Sequence, residues 1–259
     1  MGYKHRLMKE QKYYTKDFYD GIQDKSYSSA KRILSIVNEY IHPESVIDIG
    51  CGAGNWLRVW KEEYGIEKIK GYEGPYLAKA ELQIPKDKII FQDLKLPLPN
   101  EDKYDLAMTL EVAEHLPAEN ADKFVSTLTT LSDVVLFSAA IIGQEGTYHI
   151  NEQMPDYWAA KFEQHYFYPF DCIRSKVWND EAVESWYQQN AILYAKKDTL
   201  VYDVLLNKYG IADKSVLLRI HPNTYMHKVK IVEKTNTLPK FIFYRASMIK
   251  KEIFKFFNV

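Results

Sequence analysis

Two carboxylates and an imidazole crowd the stretch LEVAEHLP, where Glu111, Glu114 and His115 follow the apolar run YDLAMTL. If the chain turns helical there, spacings of three and four residues set all three on one face. Further along, the polar loop IIGQEGTYHINEQMPDYW carries His149, Asn151 and Glu152. These side chains can serve three purposes. Glu111, Glu114, His115 and His149 can hold a divalent ion, which lowers the pKa of a nearby hydroxyl. Without a metal, His149 or His115 can act as a general base, since imidazole titrates near neutrality. In the plainest reading Glu114 and His115 only begin a helix, and Glu111 lines a pocket. Burying several acids without a cation is costly, which favours the ion if the cluster is buried.

Such groups need a scaffold, and the chain alternates apolar bursts with helical patterns. Strands are expected at SVIDIG, KIKGYEG, KIIFQDL, YDLAMTL and VVLFSAAI, with FYPFDCIRSKVW and NAILYAKK as a closing pair. Helical patterns lie around Trp56 to Tyr64, Tyr76 to Leu82 and Asn120 to Leu131. An earlier helix, SSAKRILSIVNEYI, places Ile33, Ile36, Val37 and Tyr40 on one side, with Ser28 or Ser29 as its N-cap. Strands alternating with helices imply crossovers and a mainly parallel sheet covered on both faces. Residues 1–26 read as an N-terminal arm or lid, 27–197 as the main domain, and 198–259 as a helical or mixed C-terminal appendage.

The strongest local feature is SVIDIGCGAGNW, an apolar strand ending in Asp48 and then Gly50, Gly52 and Gly54. Glycines let the backbone turn sharply and approach a ligand closely. A second acid, Glu73, ends the next strand, where it can accept hydrogen bonds from ribose hydroxyls. The spacing is D-x-G-x-G-x-G, where a dinucleotide site favours G-x-G-x-x-G. A carboxylate at Asp48 suits an ammonium group and repels a pyrophosphate.

At these residues the sequence resembles the class I S-adenosylmethionine-dependent methyltransferases, over about residues 27–197. The resemblance implies a Rossmann-like, doubly wound, seven-stranded, mainly parallel sheet whose last strand, NAILYAKK, runs antiparallel. It also implies S-adenosylmethionine as cofactor. Asp48 would meet its methionine end, and Gly50, Cys51, Gly52 and Gly54 would pass beneath it, with Asn55 and Trp56 at the helix start, Trp56 either as a wall of the pocket or as helix-packing core. Glu73 and Gly74 would hold the ribose, Asp93 and Leu94 of FQDL the adenine, and Glu111 would line the pocket near the transferable methyl.

The E-x-x-E-H element with a later histidine is similar to the metal site of the plant small-RNA 2′-O-methyltransferases. A related element occurs in ubiquinone-pathway O-methyltransferases. This likeness implies Glu111, Glu114, His115 and His149 as ligands for Mg²⁺ or Mn²⁺, with Fe²⁺ as a lesser alternative. In such a sheet the fifth strand ends beside the fourth, which lets His149 approach Glu111 and His115. The spacing from His115 to His149 departs from those relatives.

FSAAIIGQEGTYHINEQMPDYWAAKF and WYQQNAILYAKK resemble a bacterial group of the class associated with surface-glycan biosynthesis. That implies a small-molecule acceptor: a sugar nucleotide, a glycosyl hydroxyl or a capsule phosphoramidate. Tyr148, Asn151, Glu152, Gln153, Tyr157 and Trp158 would then line its pocket, with core packing the alternative for the last two. Arg174 could grip a phosphate bidentately or make a surface ion pair, and His221 could belong to a lid or cap the appendage. The rival of another class is a methyltransferase-like binding module without catalysis.

Composition sets the outer bounds. The chain has 259 residues, 46% hydrophobic and 27% charged, with a formal net charge of −1. That balance offers no general attraction to nucleic acid, and none is expected as a partner. No secretory signal or membrane-spanning run is visible, and two cysteines cannot build a disulfide framework, so a cytoplasmic location is expected. The basic, aromatic tail LPKFIFYRASMIKKEIFKFFNV could touch a membrane surface, its own domain or a dimer mate.

Overall fold

The computed structural model describes residues 16–77, 81–99 and 101–235. The expected arm before residue 16, the basic tail and part of the helical pattern at 76–82 lie outside the described residues.

A seven-stranded sheet forms the centre, in the order β3-β2-β1-β4-β5-β7-β6. Its strands are β1 (Ser45–Ile49), β2 (Lys68–Glu73), β3 (Ile89–Phe91), β4 (Leu106–Leu110), β5 (Val134–Ser138), β6 (Phe167–Phe170) and β7 (Ile192–Lys196). All neighbours pair in parallel except β7, which runs antiparallel to both β5 and β6. The mainly parallel sheet is what the alternating pattern predicts, and its Rossmann-like, doubly wound order of seven strands is what the resemblance implies.

Central strands covered on both faces read as unbroken apolar runs. β1, β4 and β5 are buried throughout. Alternate residues serve opposite layers: Val46, Met108 and Leu136 join one core, and Ile47, Ala107 and Val135 the other. The first layer is covered by α1 (Lys16–Ile41), α2 (Asn55–Tyr64) and α7 (Leu200–Tyr209), with Trp56 and Trp60 from α2. The second is covered by α3 (Ala121–Leu131), α4 (Pro155–Glu163) and α8 (Lys214–Leu217), through Phe124, Trp158 and Phe162. Between β6 and β7 lie the short helices α5 (Arg174–Val177) and α6 (Ser185–Asn190), and the described chain ends in α9 (Pro222–Thr235).

The first helix corrects one expectation. It begins by Lys16, so Ser28 and Ser29 are interior, and the Ser29 hydroxyl donates to the Lys25 carbonyl at 2.8 Å instead of capping. Ile33, Ile36 and Val37 are buried on its inner side as their spacing requires. Among the described residues no helix is long and apolar enough to cross a membrane.

Candidate active site

In an open parallel sheet ligands gather at the carboxyl ends of the strands, where the order reverses. That reversal lies between β1 and β4. After β1 the chain turns through Gly50, Cys51 and Gly52 into α2, and Gly54 stands at the helix N-terminus with φ of 95°. The Gly50 and Cys51 N–H groups both donate to the Tyr72 carbonyl, at 2.7 and 3.1 Å, which seats the turn on β2. Gly50 has φ of 86°, and a Cβ there would lie 2.3 Å from Val112 Cγ2, so this position needs glycine for space as well as for conformation. Gly52 has φ of 56° and faces open space.

Glu73 closes this turn from the end of β2. Its Oε2 accepts from the Gly52 N–H at 2.7 Å, and its Oε1 from the Gly74 N–H at 2.6 Å and the Tyr76 hydroxyl at 2.7 Å. An ionised carboxylate has about four acceptor sites, so roughly one remains for a ligand. Asp48 is deeply buried, and its Oδ1 makes no hydrogen bond among the described residues. Burial, with Glu73 nearby, pushes its pKa well above the carboxylate range. An acid with an orphaned oxygen beside an open glycine turn fits a ligand carrying an ammonium. Burial also pushes up the Cys51 thiol, which makes it a packing residue and a poor nucleophile.

The outer cofactor positions are less enclosed. Asn55 and Trp56 start α2, both buried, and Trp56 packs edge-on against Tyr187 at 5.1 Å between ring centres. Asp93 accepts from its neighbour Lys95 through the backbone N–H at 3.1 Å and pairs with its Nζ at 2.9 Å. Leu94 borders a crevice with Ile49, Leu98 and Phe124.

The residues after β4 form a 3₁₀ turn, Ala113–His115, not the α-helix that their spacing suggests. Glu111 takes a left-handed φ of 57°. Its carboxylate is held by amides: Asn190 Nδ2 donates to Oε1 at 3.0 Å and Gln144 Nε2 to Oε2 at 2.9 Å. Glu111 therefore stands outside the group that could hold a metal, which corrects the expected four-ligand set. That group is Glu114, His115 and His149, whose ligand atoms all lie within 4.8 Å of one another.

Glu114 is the least compensated member. Its side chain is 0% exposed, and neither carboxylate oxygen makes a hydrogen bond among the described residues. Burial, reinforced by the Glu111 carboxylate, pushes its pKa well above the usual range. The Glu114 carbonyl accepts from the N–H groups of Ile150 and Asn151 at 2.9 and 3.0 Å, which ties the loop after β5 to the turn after β4. His115 Nδ1 lies 3.3 Å from the Tyr148 carbonyl, and burial with the His149 ring beside it lowers its pKa to about 4. His115 is thus neutral at pH 7, with Nδ1–H donating to the carbonyl and Nε2 left with its lone pair. His149 Nε2 is 3.9 Å from Glu114 Oε1, and the two imidazoles meet edge to face with ring centres 5.0 Å apart. A buried acid with no side-chain hydrogen-bond donor among the described residues, beside two imidazoles, fits a divalent cation.

Among the expected acceptor residues, Tyr148 contributes its carbonyl to His115 from a left-handed φ of 63°. Asn151 is buried, and its Oδ1 accepts from Gln153 Nε2 at 3.0 Å. Tyr157 packs on Trp158 and under Lys161, whose Nζ sits 4.6 Å from the ring centre. Glu152 is a correction, because its carboxylate serves the loop and His149: Oε1 lies 2.8 Å from His149 Nδ1, and Oε2 accepts from the Gly143 N–H at 2.6 Å.

Arg174 is the second acceptor-site correction. It is 1% exposed and pairs bidentately with Asp171 at 2.9 and 2.9 Å. Its remaining donors reach the carbonyls of Gln189, Val216 and Leu217. No part of it is left for a substrate phosphate. Gln144 and Asn190 were missed by sequence reading. Their signal was positional: each is a polar residue at the carboxyl edge, after β5 and just before β7.

The sheet and its glycine turn agree with the family comparison. A methyltransferase-domain family matches residues 24–174, and the chain belongs to it, with the class I S-adenosylmethionine-dependent methyltransferase fold. Over 137 residues the chain is 33% identical to a protein of Oryza sativa subsp. japonica named "probable tocopherol O-methyltransferase, chloroplastic". That match takes in 44% of this chain and 36% of the rice protein, so the chain spans about a third of that relative's length. Among solved structures, a chain of the complex between the Haloferax volcanii Trm112 methyltransferase activator and a methyltransferase aligns with TM-score 0.50 and 13% identity, over 68% of this chain and 92% of that one. Human N-acetylserotonin methyltransferase in complex with SAM aligns with TM-score 0.48 and 17% identity, over 69% of this chain and 55% of that one.

Proposed function

We propose that the protein transfers a methyl group from S-adenosylmethionine to an oxygen of a small polar acceptor, with a divalent cation held by Glu114, His115 and His149. One observation carries this reading: a fully buried Glu114 carboxylate, with no side-chain hydrogen-bond donor among the described residues, faces two imidazoles. When bound, the ion supplies the charge that lowers the pKa of an alcohol. Two imidazoles and one carboxylate suit Mn²⁺ or Fe²⁺ better than Mg²⁺, which prefers oxygen ligands. Asp48 takes the cofactor's ammonium end, Glu73 its ribose, and Asp93 with Leu94 its adenine, so that the methyl faces the rim in line with the acceptor.

The acceptor we favour is a sugar nucleotide, glycosyl hydroxyl or phosphoramidate of a bacterial capsule precursor. The support is the resemblance of residues 137–162 to surface-glycan enzymes. The name of the rice relative supports oxygen as the accepting atom. The polar loop around Tyr148, Asn151 and Gln153 suits such a ligand.

A second reading makes His149 a metal-free general base, oriented by the Glu152 carboxylate 2.8 Å from its Nδ1. A turnover screen with labelled donor against these acceptor classes, with and without added Mn²⁺, tests the first reading against the second. Full activity after exhaustive chelation, with no metal found by elemental analysis, rules out the ion.

A further inference from the structure

We infer that Glu152 is a positioning residue: its carboxylate fixes the ring and tautomer of His149 so that Nε2 is offered to the cation. The inference rests on the cation reading and extends it to a residue outside the ligand set.

Glu152 is itself immobilised. Its Oε2 accepts from the Gly143 N–H at 2.6 Å, and its Oε1 from the Glu145 N–H at 2.8 Å. A carboxylate tied to two backbone N–H groups cannot swing to follow a moving ring. The same Oε1 lies 2.8 Å from His149 Nδ1. Because an ionised carboxylate only accepts, Nδ1 carries the hydrogen, and in the neutral ring Nε2 keeps its lone pair. That lone pair is on the nitrogen 3.9 Å from Glu114 Oε1.

The loop gives a second, independent restraint. Gly146 lies directly against the ring, and a Cβ built there would sit 2.2 Å from His149 Nε2. Even alanine at 146 must push the imidazole aside. The ring is therefore held at Nδ1 by an acid and bounded at Nε2 by a residue with no side chain. Imidazole ligands whose other nitrogen donates to a carboxylate are oriented and made more basic by it, and loss of that partner costs about 10- to 100-fold in metal affinity.

The test uses the full-length chain, Mn²⁺ binding by calorimetry and electron paramagnetic resonance, and S-adenosylhomocysteine binding as the measure of an intact cofactor site. Glu152→Gln and Gly146→Ala should each weaken Mn²⁺ by about 10- to 100-fold and leave S-adenosylhomocysteine affinity within about twofold. Lys228→Ala, which removes the surface pairing of its Nζ with the Glu145 carboxylate at 2.6 Å, should leave both unchanged. Wild-type Mn²⁺ affinity in Glu152→Gln and Glu152→Ala overturns the inference. So does a matched loss of both ligands, which would mark Glu152 as merely structural. If the wild-type chain takes up no Mn²⁺, the cation reading fails, and nitrogen-15 spectra of the histidine rings decide Glu152 separately. An Nδ1–H tautomer at His149 that is lost in Glu152→Ala upholds the positioning role, and an unchanged tautomer overturns it.

Discussion

The backbone N–H of Gly52 donates to Glu73 Oε2 at 2.7 Å, so the turn after β1 and the acid at the end of β2 are locked as one unit. The ligand's ribose would meet a carboxylate already oriented by three protein donors. Glu73→Ala should weaken S-adenosylhomocysteine binding by about 10- to 100-fold, the scale of hydrogen bonds to a charged group. Calorimetry measures it, and unchanged affinity removes the ribose assignment.

Gly52→Ala separates folding from binding. The added methyl meets open space, and the left-handed φ of 56° costs only about 1–2 kcal/mol. Thermal melting should therefore shift modestly, while S-adenosylhomocysteine binding should collapse, because in the proposed site the cofactor passes over that position. Gly50→Ala should show the opposite balance, since its methyl drives into Val112. Equal losses in both variants would refute this division.

In the proposed site, the buried Glu114 should make cation binding pH-dependent. Its pKa is raised in the folded, cation-free chain, so the native state keeps a proton that the unfolded chain releases. Stability from this group is full below the unfolded pKa of about 4.3 and declines as pH rises toward the folded pKa. A cation needs the carboxylate, so binding must expel that proton, and affinity should rise with pH until the folded pKa is passed. Calorimetric titrations with Mn²⁺ in two buffers of different ionisation enthalpy should give different heats. The difference should vanish in Glu114→Gln; identical heats for the wild-type chain would count against the assignment.

His149→Ala should reduce turnover by at least the roughly 10²- to 10⁴-fold expected from losing an acid–base group, with cofactor affinity near normal. Single-turnover assays with labelled donor make the comparison. A variant that keeps its rate places the chemistry elsewhere.

Arg174→Met should act on stability alone. Removing one partner of a buried ion pair costs about 3–5 kcal/mol, and here Asp171 and three carbonyls lose their donor together. Denaturant melts should report that loss, while any folded fraction binds S-adenosylhomocysteine normally. A stable variant with impaired acceptor use would restore the phosphate role.

The sheet was legible because its signals are local. Unbroken apolar strands, the glycine turn and the helical period of α2 and α3 each need only a dozen residues to declare themselves. The glycine-rich turn brought Asp48 and Glu73 into view for the same reason. Around the rim, partner choice depends on which distant segments meet. Glu111 shares an E-x-x-E-H spacing with Glu114, yet its left-handed backbone and the amides of Gln144 and Asn190 draw it out of the cluster. Arg174 reads as a surface cation until Val216 and Leu217 supply carbonyls from 42 and 43 residues away. No spacing rule contains those meetings.

The splice between the two rim loops runs through main chain, with the Glu114 carbonyl taking the N–H groups of both Ile150 and Asn151. Short of proline at 150 or 151, a side-chain substitution removes neither donor. The frame of the rim is thus insulated from changes in the groups that it displays, and a descendant could trade imidazole for amide or acid without rebuilding the gap between loops. Acceptor preference can drift across such a surface while the donor crevice behind it stays as it is.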